Sequence, residues 1–349
     1  MKIRSISQAT AVLGVSALLL SGCGLFGPEK EATSIDAPPQ SQVAVDVPDA
    51  AANDSAAQGE EPVVPATAER TVYLLDAHGY VVPVSLTLPK EEGIAKQVLS
   101  YMVKGGPVES LLQGGFSAVL PQGTEVKGLV IKNGVATVDF SKEFKTYDAK
   151  DEKRILDAVT RALTEFSNVK TVQIWVNGTP LSEMPAASTP ITQLDRGHGV
   201  NLELADGAVP GNTSAVTVFF QGQLDDARTY FVPVTRLVPA TADIAKATVE
   251  ELIRGPKEGS QLFSSVLRTT RVLDVKQEKD LLTVNLSSDI LKYDDGKEAS
   301  PDALESLVLS LTESTGAPKV QLLVEGKPLS NADYTKPVSR PVQLNPLQF

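Results

Sequence analysis

The constraint that comes first is an internal duplication. Thr71–Pro185 and Thr217–Asp333 run through the same motifs in the same order. Val82-Pro83-Val84 recurs as Val232-Pro233-Val234, and Ile94-Ala95-Lys96 recurs as Ile244-Ala245-Lys246. Val138-Asp139-Phe140-Ser141 is answered by Val284-Asn285-Leu286-Ser287. The copies close on Val172-Gln173-Ile174-Trp175-Val176-Asn177-Gly178 and Val320-Gln321-Leu322-Leu323-Val324-Glu325-Gly326. The offset moves only from 150 residues at Ile94/Ile244 to 148 at Val172/Val320. A unit of this length is a domain, too long for a solenoid repeat. The chain must therefore fold as two like domains in tandem.

Within each copy the periodicity predicts ββαββαβ. In copy one, 71–75 and 81–88 alternate as strands, and Pro83 predicts an edge or a bulge because proline removes a ladder donor. Ile94, Val98, Leu99, Met102 and Val103 make one apolar helical face, ended by Gly105-Gly106-Pro107. Asn133-Gly134 between two strands predicts a type I′ hairpin. A second helix follows with Asp151 as its cap, and in copy two Ser300-Pro301 stands at the matching place. Two amphipathic helices and one sheet give an α/β fold of α+β type, a two-layer sandwich with both helices on one sheet face. Phe116 and Phe263, on long loops, are expected to tuck into the cores. Ala186–Thr213, with four glycines and two prolines, fits either a flexible linker or a segment that packs the domains together.

Ahead of the repeat, Lys2 and Arg4 precede the apolar run Ala11–Leu20, which is too short to span a bilayer comfortably. Leu20-Ser21-Gly22-Cys23 resembles a bacterial lipobox, which implies a diacylglyceryl group on the Cys23 thiol and cleavage before it. Residues 24–69 hold nine acids against one lysine, so −8 of the chain's net −11 lies there. This stretch is rich in proline, alanine and carboxylates, without sustained apolar periodicity, and is expected to stay extended as a tether. Its reach is about 35–40 Å as a flexible coil and about 150 Å fully stretched. Acidity of this kind excludes a nucleic-acid partner, which needs a basic footprint.

The chain is poor in catalytic side chains. It has one cysteine and two histidines, which rules out a disulfide framework and a cysteine-cluster zinc site. His78 falls beside Gly79 in a hairpin turn and His198 between two linker glycines, and neither has a counterpart in the other copy. Asp139 is replaced by Asn285, which keeps the shape and drops the charge, so a bond to a neighbouring turn is expected of both. Asp225-Asp226 and Asp294-Asp295-Gly296 lack the spacing of an EF-hand loop and read as solvated acidic loops. No catalytic residue, metal site or cofactor is expected, and Cys23 is the one site residue. The edge strands at Pro83 and Pro233 are candidate docking sites.

These features together resemble a known family. The lipobox, the tether, the helix ends Val103-Lys104-Gly105-Gly106-Pro107 and Ile253-Arg254-Gly255-Pro256, Leu120-Pro121-Gln122-Gly123-Thr124 and Asn133-Gly134-Val135-Ala136-Thr137-Val138-Asp139-Phe140-Ser141 are similar to the GerM family. Its members are sporulation and germination lipoproteins of endospore-forming bacteria, with tandem GerMN domains. The likeness spans nearly the whole chain, though copy two departs at Arg268-Thr269-Thr270 and at Asn285. It implies a fold akin to the ring-building motif of secretion-system and sporulation-channel proteins. It implies a non-enzymatic role in assembling or localising the SpoIIIA–SpoIIQ complex, with the protein on the outer face of the cytoplasmic membrane, between mother cell and forespore. The expected partners are the lipid bilayer, through Cys23, and those channel proteins. The alternative is a ligand-binding lipoprotein, a solute or cell-wall glycan receptor; an envelope hydrolase is a third reading. The expected layout is a signal at 1–22, a tether at 23–68, a first GerMN domain at 69–185, a linker at 186–213, a second domain at 214–335 and a tail at 336–349.

Overall fold

The computed structural model describes residues 66–112, 114–191, 194–225, 228–292 and 297–347. All of them fall in one unit, Pro62–Phe349. The signal, Cys23, nearly all of the tether, Asp226 and Asp294-Asp295-Gly296 lie outside the described residues.

The first copy opens with a hairpin of β1 (Thr67–Asp76) and β2 (Val81–Pro89). Asp76 shapes its turn, because its Oδ1 accepts from the backbone N–H groups of His78 and Tyr80. Helix α1 (Ile94–Ser100) follows, burying Ala95, Val98 and Leu99. A loop then returns β3 (Phe116–Ser117) to β1. The second hairpin is β4 (Val126–Lys132) and β5 (Val135–Phe140). Asn133 and Gly134 take φ of 53° and 81°, the left-handed pair that the type I′ turn needs. Helix α2 (Glu152–Thr164) crosses over to β6 (Thr171–Val176), parallel to β5, and β7 (Thr179–Pro180) closes the unit. A short strand, β8 (Glu203–Leu204), lies in the connection.

The second copy repeats this with β9 (Thr213–Gln223), β10 (Thr229–Pro239), α3 (Ile244–Arg254), β11 (Val272–Glu278), β12 (Leu281–Leu286), α4 (Pro301–Thr315), β13 (Lys319–Val324) and β14 (Lys327–Pro328).

The α/β fold with both helices on one face of a sheet is present in each copy, with one refinement. The opening hairpin does not join that sheet. The sheet orders are β4-β5-β6-β7 and β2-β1-β3 in the first copy, β11-β12-β13-β14 and β8-β10-β9 in the second. Helix α2 packs against β6 on one side and against β1 and β2 on the other, and α4 likewise packs against β13 and β9. The helices are thus a middle layer, which is why α2 is buried nearly all round, from Ile155 to Thr164. A strand covered on both faces has no reason to alternate, and Val81 to Leu86 is continuously buried.

Two helix starts differ from expectation. Asp151 and Ser300 occupy the cap positions, but neither side chain bonds to the helix backbone. Asp151 turns to Arg154 at 2.9 Å, and the first turn of α4 is set by Pro301. Among α1 to α4 the helix with a side-chain cap is α3, where Asp243 accepts from the Lys246 N–H at 2.9 Å.

The connection packs; it does not dangle. Buried Glu152 accepts from the N–H groups of Ala186, Ala187 and Thr189 and from the Tyr147 hydroxyl. Burial works against its charge, but the bonds from Thr189, Ala187 and Tyr147 prevail and hold its pKa at about 2. Further on, β8 pairs parallel with β10. Among the described residues no helix is long and apolar enough to cross a membrane.

Candidate functional site

The polar residues singled out in the sequence prove to be employed in turns. Asp139 accepts from the Gly178 N–H at 2.9 Å, and Asn285 accepts from the Gly326 N–H at 2.8 Å. The two side chains do one job, pinning the closing hairpin to the sheet, and charge is not needed for it. His198 sits in a one-turn 3-10 helix whose Asp195 cap accepts from Gly197 N–H, while the His198 ring faces Asp195. His78 is exposed at its hairpin turn. Asp225 is ion-paired with Arg228. Among the described residues no group of three or more His, Cys, Asp or Glu is placed to hold a metal. Phe116 is buried and meets the Tyr230 ring edge-on at 5.0 Å, whereas Phe263 is 38% exposed, contrary to the expectation that both fill cores. Gln221 and Phe263 exchange backbone hydrogen bonds at 2.9 Å each way, which holds the phenylalanine backbone at the hairpin edge.

The expectation that the Pro83 and Pro233 strands are exposed docking edges is overturned. Both prolines are buried, because β2 and β10 lie against each other. Neither proline has an N–H, so no ladder closes between them. Two asparagine amides take its place. Asn201 accepts from Val81 N–H and donates to the carbonyls of Val81 and Pro233, all at 2.8 Å. Asn345 accepts from Phe231 N–H at 2.7 Å and donates to the carbonyls of Phe231 and Pro83 at 2.8 Å. Ser85 N–H bonds to the Leu344 carbonyl as Thr235 N–H bonds to that of Val200. The contacts are reciprocal, as across an isologous interface: the segment trailing copy one seals the edge of copy two, and the tail of copy two seals the edge of copy one.

Charge follows the same plan. Glu313 on α4, 7% exposed, receives Arg161 from α2, Arg196 from the connection at 2.8 and 3.0 Å, and Arg340 from the tail at 2.8 Å. Arg196 also reaches Glu165 at 2.6 Å, where the Tyr73 hydroxyl donates. Burial alone would raise the Glu313 pKa; the three arginines prevail and hold it at about 2. Burial and the Glu165 carboxylate push the Tyr73 hydroxyl far up. At the other end of the seam Tyr230 donates to Asp76 at 2.9 Å, and Tyr80 to the Ser260 carbonyl at 3.1 Å.

Apart from Pro83, Pro233 and Phe116, these seam residues did not stand out in the sequence. A signal was there, in segments outside the compared copies: Arg196 and Val200-Asn201 have the spacing of Arg340 and Leu344-Asn345, and both asparagines take left-handed φ, 49° and 50°. The arrangement locks the two domains into one body, with a cavity of about 320 Å³ where Arg340, Pro341 and Val342 of the tail lie over Arg70, Ala162 and Phe166 of the first copy.

Residues 71–182 and 217–330 match the Germane family, whose description is sporulation and spore germination. The chain is 38% identical over 366 aligned positions to the spore germination protein GerM of Bacillus subtilis strain 168, covering 99% of this chain and 100% of that one. Among solved structures it resembles the tandem GerMN domains of the sporulation protein GerM from Bacillus subtilis, with a TM-score of 0.75 and 39% identity, covering 80% of this chain and 99% of that one. A structure of the first GerMN domain of that protein is 49% identical, covers 37% of this chain and 98% of its own, and has a TM-score of 0.36.

Proposed function

The chain belongs to the Germane family of sporulation and spore germination proteins, and from that premise we propose that it is a lipid-anchored, non-enzymatic assembly module of the developing spore. In this reading Cys23 carries the lipid, residues 24–68 form the tether, and GerMN domains at 69–185 and 214–335 are presented as one body to an extracytoplasmic complex. The complex is the mother cell–forespore channel of the SpoIIIA–SpoIIQ type, reached from the outer face of the cytoplasmic membrane. The observation that carries the reading is the family match over both copies, together with full-length likeness to a sporulation protein. The use of Asp139, Asn285 and His198 in turns, and of Glu313 in a clamp, supports an assembly role over catalysis. The hydrogen bonds and ion pairs that tie the copies together weigh against a solute receptor whose lobes open and close on a ligand.

The test is a count of heat-resistant spores after deletion of the gene in its native host, beside a strain carrying Cys23→Ala. A steep loss with normal vegetative growth is expected on deletion, and a loss of the same kind with Cys23→Ala if the anchor is needed. Normal spore counts on deletion would remove the assembly role and direct attention to the glycan receptor.

A further inference from the structure

The two copies treat one sheet edge differently. β4 and β11 are equivalent outer strands of their four-stranded sheets. In β4 the two-residue turn makes Lys132↔Val135 and Val130↔Thr137 the hydrogen-bonded pairs with β5. The N–H and C=O groups of Leu129 and Ile131 therefore point away from the sheet. By the same register, Val275 and Gln277 are the outward residues of β11.

The side chains around these free groups diverge. On the outer face β11 carries Asp274, Lys276 and Glu278, and Asp274 and Lys276 pair at 3.3 Å. Charges of this kind guard an edge against strand pairing. At the matching places β4 carries Gly128, Val130 and Lys132. Val130 is 63% exposed, and its row continues through Thr137 to Gln173, beside the half-buried Trp175. On the inner side a groove of about 440 Å³ runs between α1 and the start of β4, with Ser100, Val103 and Pro107 along one wall and Val126 along the other. A bare strand beside a helix is the shape that takes an added strand.

We propose that the β4 edge of the first copy is a strand-addition site for an extended segment of a partner protein, apolar at alternate positions and flanked by carboxylates. Charge selects that occupant. Exposed Lys96 and Lys127 stand at one end of the edge, and exposed Lys132 and Lys170 stand at the turn end; Glu125 is the one acid lining the groove, and Asp139, across the ladder from Gly128, is engaged by the Gly178 N–H. A second copy fits poorly. Pairing β4 with β4 sets these lysines against each other, and β11 would bring Lys276 opposite Val130. The same carboxylates are repelled by Asp274 and Glu278, so the second copy does not compete. The inference deepens the assembly reading and rests on it.

The test uses the mature full chain and a short synthetic peptide alternating valine and threonine, ended by glutamates, with a copy ended by lysines. Amide hydrogen exchange is followed residue by residue. The glutamate peptide is expected to slow exchange at Leu129 and Ile131, with Val275 and Gln277 unchanged, and to bind about tenfold or more tighter than the lysine peptide. Val130→Lys, the residue that the second copy itself carries at this place, or Val130→Asp is expected to abolish the slowing with melting temperature unchanged, since Val130 is largely exposed; two variants guard against one misfolding. The proposal is overturned if the two amides do not respond, if β11 responds instead, if both peptides bind alike, or if Leu129 and Ile131 are protected without peptide as protein concentration rises. Because the readout is peptide binding, its failure is separate from a failure of the spore counts.

Discussion

Glu313 is one carboxylate answering three arginines from three segments, and its loss would strand all of them. Buried ion pairs are worth little against an apolar replacement, but removing one partner leaves uncompensated charge and costs about 3–5 kcal/mol. Glu313→Gln is therefore expected to lower unfolding free energy by about that amount, read by urea titration near neutral pH. The pH dependence follows from the depressed pKa. The stabilisation from Glu313 is fully present above its ordinary value of 4.5 and is lost as pH falls toward about 2, because the unfolded carboxyl binds its proton first. Glu152, depressed in the same direction, adds to the loss over the same window. Wild-type protein should thus lose stability steeply below about pH 4.5, while Glu313→Gln should show a shallower slope there. Equal slopes in the two proteins would mean that the clamp is not the acid-sensitive element.

At the scale of elements, the chain manages its edges by three different means. β2 and β10 are interrupted at Pro83 and Pro233 and sealed there by a foreign asparagine; β11 is guarded by Asp274, Lys276 and Glu278; β4 is left bare. The asparagine seal has a local signature. Asn201→Ala removes the acceptor of the Val81 N–H, and Asn345→Ala that of the Phe231 N–H. Each leaves buried backbone groups unpaired, at a cost of about 1–3 kcal/mol per group. Exchange is expected to quicken first at Val81 in one variant and at Phe231 in the other; identical exchange in both variants would show that the seal is not local. Much of this fold was legible in the sequence. Periodicity and turn chemistry placed the long strands, the helices, the Asn133-Gly134 hairpin and the Asp139 and Asn285 turn bonds, but not the two-residue strands β3, β7, β8 and β14, which are too short to show a period. What it missed was long-range. Pro83 and Pro233 say that a ladder is interrupted, and nothing local says that each interruption faces the other. A continuously buried strand such as Val81–Leu86 carries no period that tells one sheet from two. Arg196 and Asn201 lie in Ala186–Thr213, which reads equally well as linker and as packing, and Arg340 and Asn345 lie in a segment that reads only as a tail.

For the whole molecule the consequence is cooperativity. The duplicated domains are not beads on a string, since the hairpins of both copies share the seam and each trailing segment is part of the other copy's structure. A core defect in one copy should then be felt in the other. Leu304 lies in α4 of the second copy, fully buried and far in sequence from the first. Leu304→Ala is expected to cost about 2–5 kcal/mol through lost burial and a residual cavity. In independent domains that cost would stay in the second copy, and the slowest amides of β1 and β5 would keep their protection. In a single cooperative body those amides open only with global unfolding, so their protection should drop by the same free energy as that of β12 and β13. Calorimetry on the same variant should show one transition moving down as a whole. Two separate transitions, or protection in β1 and β5 unchanged by Leu304→Ala, would make the seam a contact between domains that fold alone. One rigid body would then give way to two modules free to turn against each other.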